Sequence, residues 1–349
     1  MLSGINELAA SILKRRSLDH RSCYVSIRPS PPGGLEIIVE CSDRTVLEEI
    51  EREARNKFGS GIKGLKFIAL PRRRKSLAEL LIAVTSVADV RRSPCHTAEL
   101  VTQIIYGDAL SLLKEEGDWN LVRLEDGYIG WIRSWHLKPT TQEKTRDFLQ
   151  QVKHRVGESV TQIYASPAVD ALPVCDAVIG IPVVSRNIGK RGWREVELPD
   201  GKIGYARSRT IEPLPRRRST VRSNLATTGF KFLGVPYLWG GTTPKGFDCS
   251  GLIQRIYKLN GLLLPRDSDL QAMFGKQKQI GRLDALKTGD LLFFGKSETQ
   301  ITHAAMYLSN SLFLHAYGQV RVDSLDPAHP LFEAKLAGDW RITRDPLSK

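Results

Sequence analysis

The apolar positions along this chain change period several times, and each change marks a different kind of element. Ile5, Leu8, Ala9, Ile12 and Leu13 recur at helical spacing and predict an amphipathic helix at the start. "CYVSI" and "LEIIVE" read as strands on either side of a Pro-Gly turn, "PSPPGG". "TVLEEIEREARNKF" returns to the helical period, and "GLKFIAL" closes the segment as a strand. Residues 1–71 are therefore expected to form a small α+β domain, with no candidate chemistry in it. After Leu225 the pattern runs from a helix ("LATTGFKFLG") through a Gly-rich loop to a second helix, "CSGLIQRIYKL". Leu252, Ile253, Ile256, Tyr257 and Leu259 form the core-facing stripe of that second helix. "DLLFFG", "HAAMYL" and "SLFLHAYG" follow as strands, so residues 223–349 are expected to be an α+β domain.

The middle of the chain repeats itself. "GDWNLVRLEDGYIGWI" (Gly117–Ile132) runs beside "RGWREVELPDGKIGYA" (Arg191–Ala206). Trp119 falls on Trp193, Val122 on Val196, Gly127 on Gly201 and Gly130 on Gly204. Short strands around an Asp-Gly hairpin signal predict a small β-barrel for each copy, over residues 80–140 and 153–214. The two copies resemble bacterial SH3-like domains in tandem, which implies binding of cell-wall or peptide ligands, a spacer role being the alternative. Glu99 aligns with Leu172 and Tyr128 with Lys202, so the barrel framework demands neither the acid nor the phenol.

Length and composition fit this division. A chain of 349 residues exceeds one ordinary core, and two to four domains are expected. It is 41% hydrophobic and 26% charged, with no apolar run near the ~20 residues of a membrane span. In "MLSGINELAASILKRR" Asn6 and Glu7 interrupt the apolar stretch and the basic cluster follows it, unlike a secretory signal. The protein is therefore expected in the cytoplasm, without a membrane partner. The net charge of +13 raises nucleic acid as a partner. However, the densest runs, "RRRK" (Arg72–Lys75) and "RRR" (Arg216–Arg218), lie beside prolines where domains join and read as solvated linkers. No nucleic-acid motif accompanies them, and no protein partner can be named. Five cysteines without a CxxC pair argue against a disulfide framework or a zinc site, and no metal or cofactor is expected. Cys23, Cys41, Cys95 and Cys175 read as small buried hydrophobes.

Cys249 is different, because Asp248 and Ser250 flank it at the predicted start of a helix. The positive end of the helix dipole lowers a thiol pKa there, and a depressed value is expected. The first backbone N–H groups, without helical partners, suit the oxyanion of a tetrahedral intermediate. His303 and His315 sit on two strands joined by a short "SNS" turn, which brings the imidazoles together. One then serves as base while the other fixes its tautomer, the alternative being two unrelated histidines in a sheet.

"YLWGGTTPKGFDCSGL", "LKTGDLLFF", "THAAMYL" and "LFLHAYG" resemble the NlpC family of papain-like cysteine peptidases, which cut bacterial cell-wall peptides. The resemblance covers Asn224 to about Trp340. It implies Cys249 as nucleophile, His303 as general base, His315 as the orienting third member and Tyr237 as an aid to the oxyanion. The whole layout resembles a subgroup of that family with tandem SH3-like domains. Those enzymes hydrolyse the γ-D-glutamyl bond to a diamino acid in muropeptides with a free N-terminal L-alanine, during cell-wall peptide recycling. The resemblance places Glu99, Tyr128 and Asp248 on the alanine amine, and Ser250 and Ser268 on the dipeptide, with Asp267 in the same pocket. A free α-amine, with a pKa of about 7.7–8.0, is mostly cationic at neutral pH and suits two carboxylates. Asp248 also reads as a helix N-cap, and the two roles are compatible only if one oxygen is left free. Ser250 reads equally as a solvated first-turn serine. Two other readings are a hydrolase of intact peptidoglycan with the barrels as wall anchors, and an inactive cell-wall-peptide binding protein. The sequence leaves lysine and diaminopimelate open as the diamino acid.

Overall fold

The computed structural model describes residues 1–30, 36–59, 64–71, 80–188, 192–215 and 222–348; the Pro-Gly turn and both arginine runs lie outside them. At the N-terminus a helix, Leu2–Arg15, precedes strands Val25–Pro29 and Ile37–Cys41, a helix Arg44–Phe58 and a strand Leu65–Ala69. The middle strand, Ile37–Cys41, pairs antiparallel with the first and parallel with the third. Asp43 starts the second helix by accepting from Thr45 N and Val46 N at 2.9 and 3.1 Å. Ile5, Ala9 and Ile12 of the first helix meet Val46 and Ile50 of the second in one core with Cys23, Val39 and Cys41.

Each repeat folds as seven short antiparallel strands, between Leu80 and Thr140 and between His154 and Pro213, with the helix Gln142–Gln151 joining them. The matched tryptophans are built alike: Arg133 lies 4.5 Å over the Trp119 ring and Arg207 4.2 Å over Trp193. So are the matched glycines. A Cβ on Gly130 would stand 2.5 Å from Val90 Cγ1, and one on Gly204 2.5 Å from Ile163 Cγ2. Two cysteines depart from the expected burial. Cys95 is exposed on a tight turn beside Thr97, and Cys175 is half-buried on an edge strand, Pro173–Val178.

The C-terminal part is a six-stranded antiparallel sheet with the helix Cys249–Leu259 on one face and the short helix Ala334–Asp339 on the other. Leu291–Ser297, Gln300–Tyr307, Leu312–Tyr317 and Gln319–Ser324 lie side by side, with Trp340–Asp345 beyond the first. The helix Cys249–Leu259 packs its predicted stripe against Leu291, Phe293, Ala304, Met306 and Leu314. The opposite face carries Leu292, Phe294, Ala305 and Phe313 under Leu325 and Leu336. Burial on both faces explains why "DLLFFG" is apolar without alternation. The fold is α+β, as expected. Among the described residues no helix is long and apolar enough to cross a membrane.

The parts are in contact through specific bonds. Lys114 of the first barrel and Glu40 of the N-terminal domain pair at 2.7 Å, both withdrawn from water. Ile129 N donates to Arg21 O at 2.7 Å, and Tyr24 meets the edge of Trp131. The first barrel in turn sits on the catalytic domain: Thr242 N and Thr243 Oγ1 donate to Gln103 Oε1 at 3.2 and 3.1 Å. Gly240, with φ of +78°, approaches so closely that a Cβ would lie 2.3 Å from Leu100 O.

The matched barrel glycines provide a test of the repeat. Gly130→Ala and Gly204→Ala each overpack a closed core and should destabilise their barrels by about 1–3 kcal/mol, read as a lowered urea midpoint.

Candidate active site

Asp248 ends the Gly-rich loop in extended backbone, and its Oδ1 accepts from Gly251 N at 2.7 Å. That cap starts the helix at Cys249 and sets the thiol at its first position. The sulfur accepts from the N–H groups of Ser250 and of Ala304, the residue after His303, so helix and strand meet there. Among the described residues the Cys249 N–H has no partner. Tyr237 lies close enough for the charges of Cys249 and Asp248 to raise its phenol, after burial, which raises it most.

His303 and His315 share a sheet face with Phe294 and Phe313. The turn between their strands has positive φ at Asn310 and Ser311, and Met306 pairs with Leu314 just above it. His303 Nε2 lies 2.8 Å from His315 Nδ1, and His315 Nε2 lies 2.9 Å from Asp323 Oδ2. These contacts fix the tautomers. Asp323 is ionised: burial works to raise its pKa, but bonds from His315 and Arg321 leave it below the usual value. It therefore accepts the Nε2 proton of His315, whose Nδ1 must then accept from His303 Nε2–H. The lone pair of His303 is left on Nδ1.

The thiol is not depressed as the helix terminus alone predicts. Burial and the Asp248 carboxylate push it up to about 11, outweighing the lowering by the Ala304 and Ser250 N–H groups and by Arg266. Burial first, then repulsion that a proton on His303 would meet from His315 and Arg321, holds His303 well below its ordinary 6.5. The resting pair is a neutral thiol and a neutral imidazole, which suits proton removal as the sulfur attacks.

Asp248 is occupied on both sides. Its Oδ1 accepts from Gly251 N, from Ser250 Oγ at 3.2 Å and from Arg266 Nη1 at 3.1 Å. Its Oδ2 accepts from Gly240 N at 2.9 Å and from Arg266 Nη2 at 2.5 Å. Neither oxygen is free, so the condition for a direct bond to an amine fails; Asp248 is the N-cap and the partner of Arg266. Ser250 is not a solvated serine either, because its buried hydroxyl also accepts from Arg266 Nη1 at 3.0 Å.

Glu99 of the first barrel accepts from the Trp239 indole at 3.0 Å, one residue before Gly240. Tyr128 is buried beside it, with its hydroxyl 3.3 Å from Arg92 Nη2, while Arg92 Nε is 3.5 Å from Glu99. Burial, then the charge of Asp267, raises Tyr128 to about 12, so the phenol stays protonated. Asp267 and half-buried Ser268 begin the short helix Ser268–Gln271. Gln271 donates to Ser250 O at 3.0 Å and holds that helix against the Cys249 turn. The structure thus gathers the ten sequence candidates about the start of the Cys249 helix, in two groups: Cys249, His303, His315 and Tyr237 on the sheet side, where Tyr237 and His303 line a cleft, and Glu99, Tyr128, Asp248, Ser250, Asp267 and Ser268 at the barrel side.

Three further residues were not singled out from the sequence. Asp323 lies one pleat along the neighbouring strand from His315, a hairpin pairing ("HAYGQVRVD") that could have pointed to it. Arg266 precedes Asp267 without any sequence cue to its partner. Arg21 of the N-terminal domain reaches across to Asp267 Oδ2 and Asp269 Oδ2, both at 2.8 Å. Among the described residues no group of three or more His, Cys, Asp or Glu is placed to hold a metal ion.

Family models and relatives agree on what this arrangement is. The model described as the NlpC/P60 family matches residues 234–341, and the bacterial dipeptidyl-peptidase Sh3 domain matches residues 90–137. A crystal structure of an NlpC/P60 family protein from Bacillus cereus has a TM-score of 0.66 at 22% identity, covering 77% of this chain and 99% of that one. At that identity the likeness is one of fold. Dipeptidyl-peptidase 6 of Lysinibacillus sphaericus is 32% identical over 267 residues, covering 73% of this chain and 95% of that protein. Gamma-D-glutamyl-L-lysine dipeptidyl-peptidase of Bacillus subtilis is 30% identical over 238 residues, covering 65% of this chain and 76% of that protein. The fold is that of a papain-like cysteine peptidase with an SH3-like domain, and the chain belongs to the NlpC/P60 family. It is a hydrolase of peptides.

Two measurements check the site. Asp323→Ala frees the His315 tautomer and should lower kcat by roughly tenfold to a hundredfold with KM little changed. The pH profile of kcat/KM should keep its acid limb below 6.5, because His303, held below that value, loses its function as base only when protonated.

Proposed function

We propose that this chain is a cysteine endopeptidase that hydrolyses the γ-D-glutamyl–diamino acid bond of cell-wall peptides with a free N-terminal L-alanine. Recycling of released muropeptides in the cytoplasm belongs to the same proposal. One observation carries it: the first barrel is seated on the Gly-rich loop that leads to Cys249. Leu100 O against Gly240, and Glu99 on the Trp239 indole, put a wall and a carboxylate at that end of the cleft. In this reading the substrate enters from the other side and its acyl segment ends at the barrel. A free amine pairs with an acid there, and both relatives are named as dipeptidyl-peptidases.

The chemistry follows from the geometry. Cys249 Sγ attacks the γ-carbonyl carbon while His303 Nδ1 takes its proton. The Cys249 N–H and the Tyr237 hydroxyl stabilise the oxyanion. As the C–N bond breaks, the imidazolium returns the proton to the leaving amine. Water, deprotonated by His303, then cleaves the thioester and restores the thiol. His315 and Asp323 keep the His303 Nε2–H pointed away from the reaction throughout.

Recognition rests on Glu99 and on the neutral phenol of Tyr128, with Ser268 and Asp267 further along the acyl segment. Asp248 acts through the helix start and Arg266. N-acetylation removes the ammonium that pairs with Glu99 and adds bulk against the barrel. The kcat/KM of L-Ala-γ-D-Glu-L-Lys should therefore exceed that of its N-acetyl form by roughly tenfold to a hundredfold. Glu99→Ala should shrink that ratio, whereas Leu172→Ala in the second barrel should leave it unchanged. A ratio near one would instead assign the enzyme to intact wall.

A further inference from the structure

We propose that the protein has a second ligand site, between the two barrels and the catalytic helix, which takes a small carboxylate with an apolar body. It is independent of the peptide assigned to the cleft. The site is a cavity of about 380 Å³, within the range of small-ligand pockets, where four parts of the chain meet. Ile104 and Leu124 line it from the first barrel, Leu149 from the helix Gln142–Gln151, Pro182 from the second barrel, and Arg255 and Lys258 from the catalytic helix. It shares no lining residue with the cleft at Tyr237 and His303.

Arg255 sets the kind of ligand. Of the charged residues that line the cavity it alone is buried, at 5% exposure. Its Nε donates to Thr242 O at 2.8 Å. Among the described residues, however, neither Nη nitrogen has a hydrogen bond, and no carboxylate lies within ion-pair distance of the guanidinium. Burial holds its pKa below the ordinary value, opposed by the charge of Asp108. A Cβ on Gly180 would stand 3.9 Å from Arg255 Nη1, and both residues also line an adjoining cavity of about 200 Å³. The acids of the lining are engaged elsewhere. Lys258 pairs with Asp108 at 3.3 Å and with Glu125 at 3.0 Å, while Asp126 accepts from Tyr128 N and from Gln254. A buried cation with unused donors gains most from an anion, and a carboxylate matches the guanidinium fork. Leu110 joins Ile104, Leu124 and Leu149 in the lining, which calls for an apolar body behind that carboxylate.

The site is bonded to the loop that leads to Cys249. Arg255 holds Thr242 O, and Gln103, another lining residue, accepts from Thr242 N and Thr243 Oγ1. A ligand seated on Arg255 therefore touches the contacts that dock the first barrel on the Gly-rich loop, and by mass action it stabilises the docked form.

The test is calorimetric titration of the full chain at low salt with N-acetyl-L-leucine, whose blocked amine leaves a carboxylate on an apolar body. N-acetyl-L-leucinamide, the same body without the charge, should bind about tenfold more weakly, as for one charge-assisted pair lost. Arg255→Gln should weaken the acid by a similar factor and leave the amide unchanged. Leu149→Trp fills the cavity from an exposed helix position and should weaken the acid with Arg255 intact. Glu99→Ala, at the cleft, should bind the acid as the unaltered chain does. Hexanoate as a second probe separates a simple apolar acid from a peptide carboxyl terminus, and saturable binding of either supports the site. A Kd weaker than about 10 mM for both acids overturns the inference. So do equal affinities for acid and amide, binding of the acid that neither Arg255→Gln nor Leu149→Trp weakens, or its loss in Glu99→Ala.

Discussion

Asp248 and Arg266 are both withdrawn from water, and two charges in that position stay ionised only with close, well-filled contacts between them. Five donors converge on the carboxylate: two N–H groups of the chain, the Ser250 hydroxyl and both ends of the guanidinium. Through them one side chain starts the catalytic helix, closes the Gly240 loop over it and anchors the segment that leads to Asp267. The Cys249 thiol sits where that convergence puts it. Its raised pKa has the same origin, since burial and the Asp248 charge act together on the sulfur.

The neighbouring domains extend this arrangement. Asp126, on the Asp-Gly turn of the first barrel, accepts from Tyr128 N at 3.0 Å and from Gln254 of the catalytic helix at 2.9 Å. The turn that positions Tyr128 is therefore bonded to the helix that carries Cys249. The N-terminal domain takes part as well. Arg21 accepts from the first barrel through its backbone oxygen, beside Tyr128, and holds Asp267 and Asp269 through its side chain. The N-terminal domain is thus bonded both to the first barrel beside Tyr128 and to the segment at Asp267 and Asp269. The second barrel keeps the framework residues but has Leu172, exposed to solvent, and Lys202 at the equivalent places.

Proton geometry is decided on the opposite side of the cleft. The chain His303–His315–Asp323 has one acceptor at its end, so every proton in it points the same way. Arg321 links this chain to Glu333, which lines the same cleft as His303.

Much of this was legible in the chain. Period changes give the N-terminal helices and strands, the repeat gives two barrels, and the stripe behind Cys249 gives the catalytic helix, because each depends on local spacing of apolar residues. Cys249 stands out as a helix start and His303 and His315 as the two arms of a short hairpin, each signal being local, although the approach of the helix to the hairpin is not. Contacts between distant segments left no such trace. Arg266 on Asp248, Arg21 on Asp267 and Asp269, and Glu99 on Trp239 join residues far apart in sequence, and a lone charged side chain does not announce its partner. Burial also reversed one expectation, since the sequence shows the helix terminus that lowers a thiol but not the desolvation that raises it. The amino-acid order by itself determined the elements and the repeat and pointed to the candidate reacting groups, all from neighbours along the chain. Only the tertiary structure decided which charges neutralise one another, which tautomer the base holds and which domain walls the cleft, because those depend on distances that folding alone creates.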